Sequence, residues 1–458
     1  MRERLTPLDA SFLYLEDDGA APSHVVSLGL FDQTLDYQKL CGLVEQRLAL
    51  APRYRQKIKR VPGGLARPVW VDHTSFNIAD HVFRSRLPAP GTEEQLRELV
   101  AEMSARRLDR RRPLWEIHLI EGLAEDRVAM LSKTHQAMVD GAAVDLTQVI
   151  YDSQPNSRRP RGKPWDPVPE PSDAELIADA VSDLARQPQE IFSTLRHTLA
   201  DAGRAVSGVV GVAAEVLTAA RPAPPSPFNV EVSKRRRFAG VATDLADYRV
   251  VHRAYDVSVT DVVLATITGA LRSWLMMRGE LLSNSSVVRA MVPFGVREGL
   301  DEQAIGSGST RVSTVLVDLP IGELKAPMRL HQVAYALHTQ RQIGHFVRAE
   351  QMTSLSGFAP PTLHALGAKA ASRLSQRLYN LVVTNVPGPQ ETLYLAGSPL
   401  TESYPVPPLG RGQGLAIGVT SYRGGVCYGF NADRDSMPDL DVLPDLIEES
   451  LAELRDTV

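Results

Sequence analysis

Apolar and polar positions along this chain follow the strand period in some stretches and the helix period in others. Residues 24–31, His-Val-Val-Ser-Leu-Gly-Leu-Phe, read as a first strand. Leu40, Leu43, Val44 and Leu48 then share one helical face, with Asp36 available as a cap. Thr92 and Gln95 have capping-box spacing, and Leu96, Leu99, Val100 and Met103 continue the helix behind them. Residues 115–121 alternate as a strand, 122–126 supply a turn, and an apolar run over 128–131 makes the return arm of a hairpin. In the second half, Asp261 is placed to cap a helix running to about Met277, with Gly279 as its stop. Strands are predicted over 287–294, 310–319 and 381–386, and a helix face is set by Leu330, Val333, Ala334 and Leu337. Residues 415–422 and 426–432 flank Arg423-Gly424-Gly425 as a hairpin, and Leu443, Leu446, Ile447, Leu451 and Leu454 define a closing amphipathic helix. This mixture of strands and helices in both halves predicts the α/β class.

The pattern breaks twice. Residues 153–170 are rich in Pro, Arg and Ser, helical patterning follows over 174–219, and Pro222-Ala-Pro-Pro-Ser-Pro227 interrupts it again. A chain of 458 residues exceeds one ordinary core. The expected division is an N-terminal domain over 1–152, a linker or crossover with a helical segment over 153–230, and a C-terminal domain over 231–458. Composition narrows the function classes. A formal net charge of −4 provides no basic field, which argues against a nucleic-acid partner. Two cysteines, Cys41 and Cys427, support neither a disulfide framework nor a zinc site, and no His/Cys/Asp cluster has metal-ligand spacing. No metal or redox cofactor is expected, and a reducing, cytoplasmic compartment fits best. The N-terminus lacks the apolar core of a signal peptide, and the weakly polar run 205–220 is too short to span a bilayer. A soluble or peripheral protein is expected.

Candidate chemistry concentrates in residues 131–146. The apolar strand delivers His135 and Gln136 to its end, just before an Asp140-Gly141 turn, and strand ends are where open α/β sheets place their chemistry. The stretch resembles the His-His-x-x-x-Asp-Gly signature of the coenzyme A-dependent acyltransferase superfamily, with Gln136 at the second His. Further marks are Leu5-Thr-Pro-Leu-Asp-Ala10, Arg107-Leu-Asp-Arg110 with Pro113-Leu-Trp115, residues 133–141, residues 292–297, Asn385-Val-Pro-Gly-Pro389 and Tyr404-Pro-Val-Pro-Pro408. Their order and spacing resemble the bacterial wax ester synthase/diacylglycerol acyltransferase family over nearly the whole chain.

That resemblance implies two chloramphenicol-acetyltransferase-like domains, with mixed sheets flanked by helices, joined by a crossover linker and enclosing a substrate tunnel. It implies esterification of diacylglycerol or a long-chain fatty alcohol by long-chain acyl-CoA, a co-substrate and not a cofactor. A peripheral association with a membrane or lipid droplet would suit such substrates. The superfamily's second His removes the acceptor hydroxyl's proton; a Gln cannot do so near neutral pH, so turnover is expected to be weakened. The alternative is a non-catalytic member that binds acyl-CoA or lipid in the tunnel. His135 is open to either a catalytic or a structural reading. Asp140 is expected to support the loop, with Arg297 as its partner on resemblance, and Gly141 to serve an unusual turn. Asn385, Pro387 and Gly388 are candidates for the tunnel wall, or for an ordinary strand-ending turn. Trp115 is expected in the core, and Lys234-Arg-Arg-Arg237 is expected to be solvated. Thr260-Asp261, where the family usually has Asn-Asp, and Gly306-Ser-Gly-Ser309, where it usually has a Gly-Asn pair, are further departures.

Overall fold

The computed structural model describes residues 2–17, 22–139, 146–155, 157, 165–186, 222–296, 311–343, 347–348 and 378–458. The first half runs α1 (Pro7–Asp17), β1 (His24–Phe31), α2 (Tyr37–Arg47), β2 (Gln56–Lys59), β3 (Val69–Asp72), β4 (Val82–Arg86), α3 (Glu93–Ala105), β5 (Trp115–Glu121), β6 (Val128–His135), α4 (Gln136–Val139), α5 (Leu146–Ile150) and α6 (Asp173–Arg186). The second runs β7 (Arg236–Asp244), α7 (Leu245–Tyr255), α8 (Val259–Met277), β8 (Val288–Val296), β9 (Arg311–Leu319), α9 (Ala326–Ile343), β10 (Val347–Arg348), β11 (Leu381–Pro387), β12 (Tyr394–Leu395), β13 (Ser398–Val406), β14 (Leu415–Tyr422), β15 (Gly425–Asp433) and α10 (Leu443–Arg455).

Local chemistry explains many of these elements. Asp36 accepts from the Lys39 amide to open α2, and Thr92 and Gln95 close a full capping box on α3. The box on α8 is built differently from expectation: Ser258 is the cap, and Asp261, three residues on, bonds back to the Ser258 amide at 2.7 Å. The serine hydroxyl takes the capping position, so the aspartate completes the box from inside the helix. Arg423 and Gly424 both have positive φ, as a two-residue hairpin turn between β14 and β15 requires.

One sheet has the order β12-β13-β1-β6-β5-β4 and a second the order β10-β9-β8-β11-β14-β15-β7, with β2 and β3 forming a small ribbon. The second half of the chain therefore donates β12 and β13 to the first sheet, where β13 pairs antiparallel with β1. The first core packs α1, α2 and α5 side chains, including Leu13, Leu40, Val44 and Val149, against Phe31, Trp115, Ile117 and Met130 of the sheet. In the second core α8 is buried almost all round, from Val262 to Leu275. Among the described residues it is the one helix long and apolar enough to cross a membrane, and 78% of its apolar window is buried inside the protein. A third cluster joins the two halves: Val26, Leu28 and Leu131 of the first sheet and Leu96 and Val100 of α3 pack with Phe238 of β7 and Val406 of β13.

Glycines let β13 cross the second sheet closely. A Cβ at Gly429 would lie 1.7 Å from the Pro405 carbonyl oxygen, and one at Gly418 would lie 2.8 Å from the Pro405 ring. The Tyr404-Pro-Val-Pro-Pro408 stretch thus lies against strands that carry no side chain at the crossing. Residues 173–186 pack on the first half, with Leu176 and Ala180 against Val61, Val69 and Val71, and with Arg4 paired to Asp183 at 2.7 Å.

The Lys234–Arg237 run meets the solvated expectation at Lys234 and Arg235 and departs from it at Arg236. Arg236 opens β7 and is buried, Arg235 pairs with Asp435 and Arg237 with Asp441, and only Lys234 stands exposed without an ion pair among the described residues. The strand register, with Arg236 opposite Asp433, turns the central arginine inward.

Candidate active site

β6 is buried at every position, and its last residue, His135, pairs with His24 of β1. The strand then turns into α4, whose first residue, Gln136, bonds through its amide to the Ser23 carbonyl at 2.8 Å. The change from strand to helix separates the two neighbouring side chains. His135 is 1% exposed, whereas Gln136 is partly exposed and its side-chain amide makes no hydrogen bond among the described residues.

Both nitrogens of His135 are engaged. The Ala137 amide donates to Nδ1 at 3.1 Å, which leaves the ring proton on Nε2, 3.1 Å from Glu16 Oε1. Glu16 also accepts from the Ser23 amide at 2.7 Å and from Arg110 at 2.9 Å. Burial opposes the carboxylate's charge, but the bonds from His135, Arg110 and Ser23 outweigh it and hold the pKa well below 4.5. Nδ1 has no free lone pair to offer an alcohol, and Nε2 carries its proton toward a carboxylate. The geometry suits a positioning role for His135.

Lys133, one turn of the pleat earlier, is 1% exposed and donates to the carbonyls of Met103 at 2.9 Å and of Arg106. It satisfies the carbonyls at the end of α3, which have no partner within the helix. Burial, more than its charged neighbours, lowers its pKa to about 8. Downstream, the Leu146 amide donates to Tyr54 Oη at 2.9 Å, and Arg47 grips Asp152 through two bonds of 3.0 and 2.8 Å in a buried fork. The chain is thus clamped on both sides of residues 140–145. Asp140, Gly141 and Arg297 themselves lie outside the described residues, as does the 306–309 stretch.

Trp115 is fully buried, stacks on His81 with centroids 4.5 Å apart, and donates from Nε1 to the Tyr54 carbonyl at 2.7 Å. It belongs to the core. Asn385 near the end of β11 donates to Thr260 Oγ1 at 3.3 Å, so two of the sequence marks meet there. Pro387 is exposed, and Gly388 sits where a Cβ would come 2.4 Å from the Ser421 carbonyl oxygen. Gln390 bonds to Gly388, Ser421 and Gly424 and ties this turn to the β14–β15 hairpin. No hydrogen bond joins this group to His135 or Gln136 among the described residues. Nor does any cluster of three His, Cys, Asp or Glu side chains among them form a metal site.

Glu16 is the residue that sequence reasoning missed. It follows Leu13 by three positions on the buried face of α1, and a carboxylate on an apolar helix face was the available signal.

Comparison with known proteins agrees with this architecture. Residues 5–263 match the wax ester synthase/diacylglycerol acyltransferase catalytic domain, and residues 309–455 match the C-terminal domain of the same family. A probable diacylglycerol O-acyltransferase of Mycobacterium tuberculosis is 32% identical over 453 residues, covering 98% of this chain and 95% of that protein. A second from the same species is 42% identical over 272 residues, covering 57% of this chain and 99% of the relative. The wax ester synthase/diacylglycerol acyltransferase of Marinobacter aquaeolei superposes with a TM-score of 0.70 at 26% identity, over 99% of both chains. A condensation domain of the calcium-dependent antibiotic synthetase, at 15% identity and TM-score 0.54, shares the fold. The two sheet-rich α/β domains expected from the sequence are therefore present, and the chain belongs to the wax ester synthase/diacylglycerol acyltransferase family.

Proposed function

We propose that this protein is an acyl-CoA-dependent O-acyltransferase that esterifies diacylglycerol, or a long-chain alcohol, with turnover limited by Gln136. In this reaction the acceptor oxygen attacks the thioester carbonyl, the carbon–sulfur bond breaks, and coenzyme A leaves as a thiolate that takes up a proton. An alcohol is a poor nucleophile until its own proton is removed. The observation that carries the reading is a family scaffold whose base position holds a partly exposed, unengaged amide, beside a histidine whose nitrogens are both engaged. Gln136 can orient the hydroxyl but cannot take its proton, so the proton passes to solvent. Asp140, paired with Arg297, supports the loop, and Asn385, Pro387 and Gly388 line the acceptor side. Association with a membrane or lipid droplet is peripheral.

The test is coenzyme A release from a long-chain acyl donor with diacylglycerol and, separately, a fatty alcohol. Gln136→His should raise release by the contribution of a positioned base, on the order of 10²–10⁴-fold, with little change in acyl-CoA affinity. Release by the unaltered protein equal to that of the His variant would overturn the assignment of a weakened base. Acyl-CoA binding with no release from either protein would favour the second reading, a lipid-binding member, which the lack of any proton acceptor at residue 136 supports.

A further inference from the structure

His24 is a buried imidazole, 2% exposed, with no hydrogen bond to either ring nitrogen among the described residues. It lines a small cavity between the two halves, of about 10 Å³, with Pro22, Ser104, Arg236, Asn431 and Val406. Buried polar groups ordinarily have partners, so an unpartnered ring at a domain seam needs an explanation.

We propose that this seam is an acid-sensitive latch, in which proton uptake at His24 loosens the contact between the first sheet, β13 included, and β7 and β15 of the second. Charged and polar groups reach the ring or its cavity from each packed element. β6 contributes Lys133 and His135, the latter 5.8 Å away in an edge-on contact, and α1 contributes Glu16, whose oxygens are already taken by His135, Ser23 and Arg110. From the second half β7 contributes Arg236, and β15 contributes Asn431, whose Oδ1 also lacks a partner, and Asp433, 3.9 Å from Arg236. The Ser104 carbonyl at the end of α3 faces the ring without completing a hydrogen bond. A neutral imidazole adds no charge to a seam that already holds Lys133 on one side and Arg236 in the cavity wall. A protonated one places a third cation in a desolvated seam, where the nearest carboxylate is committed elsewhere. Burial, then Lys133 and His135, push the pKa of His24 well below 6.5, so the neutral ring is the form the closed seam selects. Relief comes from letting water reach the ring, which parts Phe238 of β7 from Val26, Leu28 and Val406 of the first sheet.

Small-angle scattering of the whole protein between pH 7 and pH 4 tests this. The unaltered protein should expand reversibly over that range, and His24→Phe, which keeps the volume and removes the charge, should not. Arg236→Gln should shrink the expansion, because it removes one of the opposing cations while leaving the imidazole in place. An unaltered protein that keeps its dimensions down to pH 4 overturns the proposal. So does an expansion that persists undiminished in both variants.

Discussion

Replacing His135 by Ala separates a structural from a chemical histidine. The side chain supplies one N–H to a carboxylate that is 3% exposed, and one acceptor to the Ala137 amide. A hydrogen bond to a charged group contributes about 1.5–3 kcal/mol, and a buried amide left without an acceptor costs about 1–3 kcal/mol. The substitution should therefore destabilise the protein by about 2.5–6 kcal/mol, less whatever water entering the site restores. Urea unfolding followed by the fluorescence of Trp115 and its neighbours reads this loss, since Trp115 lies in the same core. His135→Gln keeps an N–H able to reach Glu16 and should recover part of the stability. Coenzyme A release, measured on the fraction still folded and in the Gln136→His background, should fall far less than a missing base would imply. An unfolding midpoint unchanged by His135→Ala, with release abolished, would refute the positioning role and make His135 the base.

Four further expectations rest on other contacts. Asp152→Ala strands Arg47 in a buried site and should cost about 3–5 kcal/mol in the same unfolding experiment, with Asp152→Asn intermediate. Gly429→Ala should prevent the two sheets from docking, since its methyl would collide with the Pro405 backbone; soluble yield and melting midpoint report this, while Gly42→Ala, in open space on α2, should be far milder. Glu16 has a folded pKa below its ordinary value of 4.5, so its stabilising contribution is complete above that pH and is lost as pH falls below it; Glu16→Gln should flatten acid unfolding in that window. Asp140→Ala should lower the melting midpoint more than turnover, and the reverse ranking would assign Asp140 a chemical role.

Elements whose stabilising contacts are local were legible in the sequence. The capping box at Thr92 and Gln95, the hairpin at Arg423-Gly424 and the strand leading to His135 each rest on contacts within a few residues or on an unbroken apolar run. Asp261 was assigned to the right helix end but the wrong position, because Ser258 and Asp261 both suit a cap and only geometry distinguishes them. Long-range pairing was not legible. Nothing in the composition of Ser398–Val406 says that it leaves its own half to pair with β1, and the inward turn of Arg236 depends on its register with Asp433. At the candidate site, the family signature singled out His135 and Gln136. The commitment of both His135 nitrogens needed Glu16 and Ala137, and Glu16 is brought there only by the packing of α1.

The donated strand β13 also sets an order of events during synthesis. β1 lies between β6 and β13 in the finished sheet, and Val26 faces Val406 across that pairing. Until the ribosome has released residue 406, the emerging N-terminal half carries β1 as an open edge with apolar side chains along it, a template for pairing with other chains. Loop closure over most of the polypeptide must precede the final strand pairing, which makes the last step slow compared with formation of the local hairpins. Cutting the chain between its two halves would therefore yield an N-terminal fragment that self-associates, and adding the C-terminal fragment early in refolding should rescue it.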